Sequence, residues 1–244
     1  MLTYYLGQLA GTEVVLVLGG MSMVNATMTA QTAILLFNPR AIINTGIAGG
    51  VNSDLDMGDV VIPAQWTQYL ESEFARETPQ GWQLFEPYTK EIEPYGMIFP
   101  QKVRIARKNG PPDVEEWYRW FPASPELLAT AKRAAAQVTL GKCTPKGVCL
   151  DHNPKVVVGG NGASASVFVD NADLRQWVWR AFQADAVDME SAAIAQVAYV
   201  NDVPFIAFRS LSDLAGGGPD ENEEWIFWDW TLDKESTTKR RLLG

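Results

Sequence analysis

Residues 187–218 read VDMESAAIAQVAYVNDVPFIAFRSLSDLAGGG. They set one carboxylate, Glu190, at the head of a small-residue helix. A second, Asp213, falls just past an apolar core strand, Phe205-Ile206-Ala207-Phe208. In an open α/β sheet the carboxyl end of a buried strand is where ligands bind. Two acids delivered there by consecutive elements can divide labour, one gripping a polyol and one donating a proton. The same spacing also fits a helix-terminal acid favoured by the dipole and an ordinary turn aspartate. Those two readings stand level on spacing alone.

Working outward, the other segments repeat the alternation of strand and helix. Ser124-Pro125-Glu126 supplies an N-cap, an N1 proline and a first-turn acid, opening a helix to about residue 136. Residues 155–158 read as a buried strand, followed by Gly159-Gly160-Asn161-Gly162, and Asp170 or Asn171 caps a helix to Phe182. Near the start, residues 4–9 and 14–18 are strands joined through Gly11-Thr12, as though the chain began in mid-sheet. A helix over residues 24–37 ends at Asn38-Pro39. Residues 41–44 form a short strand running into a glycine-rich turn at 46–50, and Gly58-Asp59 precedes a strand at 60–63. From 67 to 121 the periodicity fails; this stretch, rich in aromatics, proline and charge, reads as an excursion over the surface or over a site. A last helix begins near Asn222, where Trp225, Trp228 and Trp230 have roughly helical spacing and read as packing. The class is α/β: one three-layer αβα domain, residues 1–244, around a central mixed sheet.

Bulk properties exclude several functions. The net charge of -9 gives no basic stripe for nucleic acid; Lys239-Arg240-Arg241 reads as a solvated helix end. No apolar run reaches the ~18 residues of a membrane span, so no membrane partner is expected. A lone histidine, His152, cannot complete a zinc site with Cys143 and Cys149, and it makes Ser-His-Asp catalysis a poor fit. The two cysteines read either as a disulfide closing a small loop, which would imply an oxidising compartment, or as unrelated thiols, with the disulfide preferred. No signal peptide is visible; the sequence reads as cytoplasmic as written, or periplasmic or secreted if a segment precedes it.

Three strand ends are expected to converge on one crevice: the 46–50 turn, the Gly160-Asn161-Gly162 turn and Asp213. Neither glycine segment has dinucleotide or Walker spacing, but a glycine turn after a strand can bring N–H groups close to an anion or sugar. Phe168, between Val167 and Val169, reads first as a buried core phenylalanine. Its second reading is a platform for a planar base, worth about 1–3 kcal/mol.

Taken together these residues resemble a known family. Asn44-Thr45-Gly46-Ile47-Ala48-Gly49-Gly50, Gly58-Asp59-Val60-Val61, Val187-Asp188-Met189-Glu190-Ser191-Ala192-Ala193 and Arg209-Ser210-Leu211-Ser212-Asp213 look like the purine nucleoside phosphorylase superfamily. Within it they are most similar to the 5′-methylthioadenosine/S-adenosylhomocysteine nucleosidases. Gly7-Gln8-Leu9-Ala10-Gly11-Thr12-Glu13-Val14 fits the same family. The likeness covers most of the chain apart from the aromatic excursion.

The resemblance implies hydrolysis of the N-glycosidic bond of an adenine nucleoside, with a phosphate-dependent phosphorylase or a non-catalytic storage or nucleoside-binding protein as alternatives. It implies that Asp213 protonates the purine, that Glu190 holds the ribose hydroxyls over Met189, and that Phe168 stacks on the base while the Val169 backbone reads its edge. Ser212, Gly46, Ala48 and Gly49 would line the remaining wall, beside the attacking water. No metal or organic cofactor is implied, and the family's habit implies a homodimer. The family opens with a further strand followed by a water-activating glutamate, and the likeness here starts after that point; Glu13 belongs to the next strand and does not replace it. Ile47 stands where the family carries a serine. The excursion and the cysteine pair look more like a secreted branch that includes plant bark and vegetative storage proteins. Related phosphorylases carry an arginine at the glycine turn, where this chain has Asn44 and Thr45, so water is the expected nucleophile.

Overall fold

The computed structural model describes residues 2–85, 91–144, 147 and 149–217. A hairpin opens it, β1 (Tyr4–Leu9) against β2 (Thr12–Val17), turning at Ala10 and Gly11, both with positive φ, the conformation hairpins prefer. Helix α1 (Met23–Phe37) follows and ends on left-handed Asn38, whose N–H returns to the Ile34 carbonyl. Then come β3 (Ile42–Gly50), β4 (Val60–Ile62) and β5 (Gln65–Gln68).

The 67–121 excursion is less irregular than its composition implies. It holds β6 (Ser72–Phe74), β7 (Arg76–Thr78), β8 (Gly81–Gln83), β9 (Ile98–Pro100), β10 (Val103–Ile105) and β11 (Glu116–Tyr118), paired as three small antiparallel ribbons, β6 with β9, β7 with β8 and β10 with β11. Strands this short carry too few alternating positions to show a period. After β12 (Phe121–Pro122), α2 (Pro125–Ala135) starts as expected, with the Ser124 hydroxyl accepting the Leu127 N–H. The chain continues through β13 (Val156–Val158), β14 (Asn161–Ser164), α3 (Ala172–Phe182), β15 (Ala184–Asp188), α4 (Ser191–Val200) and β16 (Phe205–Asp213). Asn171, not Asp170, caps α3.

Eight strands form the mixed central sheet in the order β12-β5-β14-β15-β3-β16-β4-β13. Along β16 the side chains alternate: Phe205 and Ala207 pack with α1 and α4, while Ile206 faces Leu127, Leu128 and Ala131 of α2. The alanines of α4 are nearly all fully buried, which lets that helix lie close on the sheet. Trp177, Val178 and Phe182 of α3 form a separate cluster with Tyr69 and Val187.

Several expectations change. Residues 46–50 are not a turn but the second half of β3, and β16 runs on through Asp213 rather than stopping at Phe208. Residues 156–158 are half-buried, because β13 is the last strand of the sheet. Gly160-Asn161-Gly162 leads into strand β14, and β15 was not expected at all. The β1–β2 hairpin stands apart from the central sheet. Cys143 and Cys149 are bonded, sulfurs 2.08 Å apart. The helix expected near Asn222, the Trp225, Trp228 and Trp230 cluster and Lys239-Arg240-Arg241 lie outside the described residues. No described helix is long and apolar enough to cross a membrane.

Candidate active site

Gly49 is paired with Asp213 on one side and with Val187 on the other, so β15, β3 and β16 meet at one point. Beside it lies a cavity of about 530 Å³. Its walls come from the connection between β2 and α1 (Leu18 to Met21), from residues 46–49, from the loop 167–169, and from the segment Val187 to Glu190. Arg209, Ser212 and Asp213 complete it.

Asp213 ends β16 at one side of the cavity and is buried. Its Oδ2 lies 2.7 Å from Ser212 Oγ, and its Oδ1 accepts the Ala215 N–H at 2.8 Å. A side chain at position 49 would have to displace this carboxylate, since a Cβ there would come 2.8 Å from Asp213 Oδ1. The carboxylate is therefore fixed by its neighbours rather than free to swing, as a group that must meet one atom of a ligand should be.

Glu190 sits at the head of α4. Its Oε1 accepts the Ser22 N–H at 2.8 Å and its Oε2 is 3.7 Å from Arg209 Nη2. Burial pushes its carboxyl above the ordinary glutamate value and the Asp188 charge adds to that; the Ser22 N–H, Arg209 and the Met189 N–H oppose it. Ser22 holds φ 79° and ψ 156°, a nearly glycine-only region costing roughly 1–3 kcal/mol.

Beneath Glu190 is a buried ionic cluster. Asp188 Oδ1 accepts the N–H groups of Glu190 and Ser191 at 3.1 Å each, and also the Ser164 hydroxyl. Its Oδ2 pairs with Arg209 Nε at 2.8 Å. Arg209 Nε also reaches Ser191 Oγ at 2.9 Å, and Nη1 reaches the Ile47 carbonyl. Ser164 Oγ accepts the Ala192 N–H at 2.8 Å. The first turn of α4 is thus held by side chains from two neighbouring strands, satisfying donors that a helix start leaves open.

A model of the phosphorylase superfamily matches residues 2–243. The chain belongs to that superfamily. A 5′-methylthioadenosine/S-adenosylhomocysteine nucleosidase of Treponema pallidum is 32% identical over 90% of this chain and 73% of its own length. One from Staphylococcus epidermidis is 31% identical over 99% and 84%. Among solved structures, the nucleosidase of Colwellia psychrerythraea bound to adenine superposes with a TM-score of 0.60 at 26% identity, over 88% of this chain and 72% of that one.

In this phosphorylase-superfamily site Asp213, Glu190, Met189, Phe168, Val169, Ser212, Gly46, Ala48 and Gly49 all line the same cavity. Gly160-Asn161-Gly162, expected at the same crevice, do not line it: they open β14, and it is the other end of that strand, Ser164, that lies beside Asp188. Phe168 departs from its first reading. It is 58% exposed on the cavity wall, while its neighbour Val169 is the buried one. Arg209, Asp188, Ser164 and Ser22 were missed. An arginine inside an apolar strand was the available signal, because a buried guanidinium requires a buried carboxylate. For Ser22 the sequence holds none. Among the described residues no group of three His, Cys, Asp or Glu could hold a metal ion.

Proposed function

We propose that this chain hydrolyses the N-glycosidic bond of a 5′-substituted adenine nucleoside such as 5′-methylthioadenosine or S-adenosylhomocysteine, releasing adenine. The observation that carries the reading is one cavity holding two carboxylates with separate surroundings, Asp213 against Ser212 and Glu190 against Ser22, and an exposed ring, Phe168. The nucleosidase relatives act on these nucleosides by name.

In this mechanism Phe168 stacks on the purine and Asp213, protonated, donates to N7. The C1′–N9 bond breaks with its electron pair moving into the base. Positive charge grows on the ribose, where the Glu190 carboxylate holds the hydroxyls and meets that charge. Water adds to C1′ and releases its proton to solvent, and Asp213 regains one from solvent, so the net reaction is nucleoside plus water to adenine plus free sugar. The proton from Asp213 is worth most in the transition state, which is where it raises kcat. The Phe168 platform and the Glu190 grip on the hydroxyls chiefly bind substrate and transition state alike and set KM.

Phosphate is a poor alternative nucleophile here. Arg209 is the one arginine on the cavity wall among the described residues, and it already pairs with Asp188 and Glu190. Two carboxylates cancel its charge, leaving nothing to compensate a phosphate dianion. A non-catalytic nucleoside-binding protein is favoured by a different observation: the described cavity carboxylates Asp188, Glu190 and Asp213 are each already engaged, so none is free to activate water. Incubation with methylthioadenosine, adenosine and inosine, with and without phosphate, separates the three. Free base without phosphate supports hydrolysis, phosphate dependence supports a phosphorylase, and binding without release supports the binding protein.

The chain is further read as a homodimer, which the superfamily resemblance implies. Val24 and Met28 leave apolar surface exposed on α1, which supports a partner there. Sedimentation velocity at micromolar concentration tests it, with a single monomeric species as the contrary result.

A further inference from the structure

Ser22 stands just before α1 with φ 79° and ψ 156°, backbone space that is almost exclusively glycine's. A serine stays there only where surrounding contacts hold it, and two do. Its N–H donates to Glu190 Oε1 at 2.8 Å. Its Oγ lies 2.9 Å from Ser166 Oγ. Ser166 is exposed and precedes the loop carrying Phe168, while Ser22 follows Gly20 and Met21 on another wall of the same cavity. The hydroxyl pair therefore ties together two walls that share no strand.

We propose that Ser22 and Ser166 are positioning residues for Glu190: their hydroxyl pair latches the two loops and keeps Ser22 in the strained conformation that aims its N–H at the carboxylate. Neither residue touches the reacting atoms. The inference rests on the nucleosidase reading only for what Glu190 grips.

The charged groups facing Glu190 are Asp188 from β15 and Arg209 from β16, and the latch leaves both in place. Without the latch, Ser22 relaxes to an ordinary serine conformation and its N–H leaves Glu190. A carboxylate that loses a donor to its charged form titrates at higher pH.

Ser166→Ala and Ser22→Ala each delete the latch, and together they should do no more than either alone. In each, the Glu190 carboxyl, followed by carbon NMR and assigned by its disappearance in Glu190→Gln, should titrate about one unit higher. KM for methylthioadenosine should rise about tenfold with kcat nearly unchanged, the signature of lost binding rather than lost chemistry. Ser22→Gly placed on Ser166→Ala should reverse both changes, because glycine takes the positive φ without strain and needs no latch. A merely structural role would lower the melting temperature without moving the Glu190 titration. The proposal is overturned if Ser166→Ala leaves titration and KM unchanged, or if glycine at position 22 gives no rescue. Should the wild-type chain release no base, the nucleosidase reading fails, and the Glu190 titration still decides the latch.

Discussion

Arg209 lies directly under Gly46: a methyl group on Gly46 would come 2.0 Å from the guanidinium Nη1. The glycine is there for close approach, not for a turn, and its neighbour is half of a buried ion pair with Asp188.

Gly46→Ala should therefore act through Arg209. Displacing the guanidinium leaves Asp188 buried without its cation, which costs about 3–5 kcal/mol when a buried pair is broken. Urea unfolding would measure it. An undisturbed midpoint would show that the strand yields instead. The double variant Asp188→Asn/Arg209→Met should recover part of what Arg209→Met alone loses, because no charge is then stranded.

Asp213→Asn keeps the size of the side chain and removes its acidic proton. General acid catalysis contributes about 10²–10⁴-fold, so kcat should fall on that scale. Binding of methylthioadenosine, measured by calorimetry, should change far less. Equal losses in both would remove Asp213 from the acid's role.

The pH dependence of stability tests the surroundings of Glu190. Burial first, opposed by the Ser22 N–H, raises its carboxyl above the ordinary value of 4.5. The folded state then holds a proton that the unfolded chain has released, so stability falls as pH rises through that window. Glu190→Gln should flatten this slope and make the protein more stable at neutral pH, while nucleoside binding is lost. A neutral or destabilising effect at pH 7, by thermal melts across pH, would contradict the sign.

Phe168→Ala should separate binding from folding. The ring is 58% exposed, so its removal should barely move the melting temperature. Base stacking is worth ~1–3 kcal/mol, and KM should rise about five- to hundredfold. A large drop in melting temperature with unchanged KM would return Phe168 to the core.

Much of the fold was legible because its signals are local. The caps Ser124 and Asn171 and the Asn38 stop mark helix ends by short-range hydrogen bonding, and the structure places all three. What was missed depends on partners distant in sequence. The apolar run ends at Phe208, yet β16 continues, because Arg209 is satisfied by Asp188 from another strand. Residues 46 to 50 look like a turn until the side chains packed against Gly46, Gly49 and Gly50 are seen. Phe168 looks like core, since the alternation around it does not say which face meets a cavity. The strain at Ser22 leaves no mark in composition or period.

The most direct test of hydrolysis is the fate of the water oxygen. Methylthioadenosine turned over in phosphate-free, oxygen-18-enriched water should give adenine and a sugar carrying the heavy oxygen at C1′, at a rate that added phosphate does not raise. Base release that requires phosphate, with a sugar phosphate as product, would contradict the account.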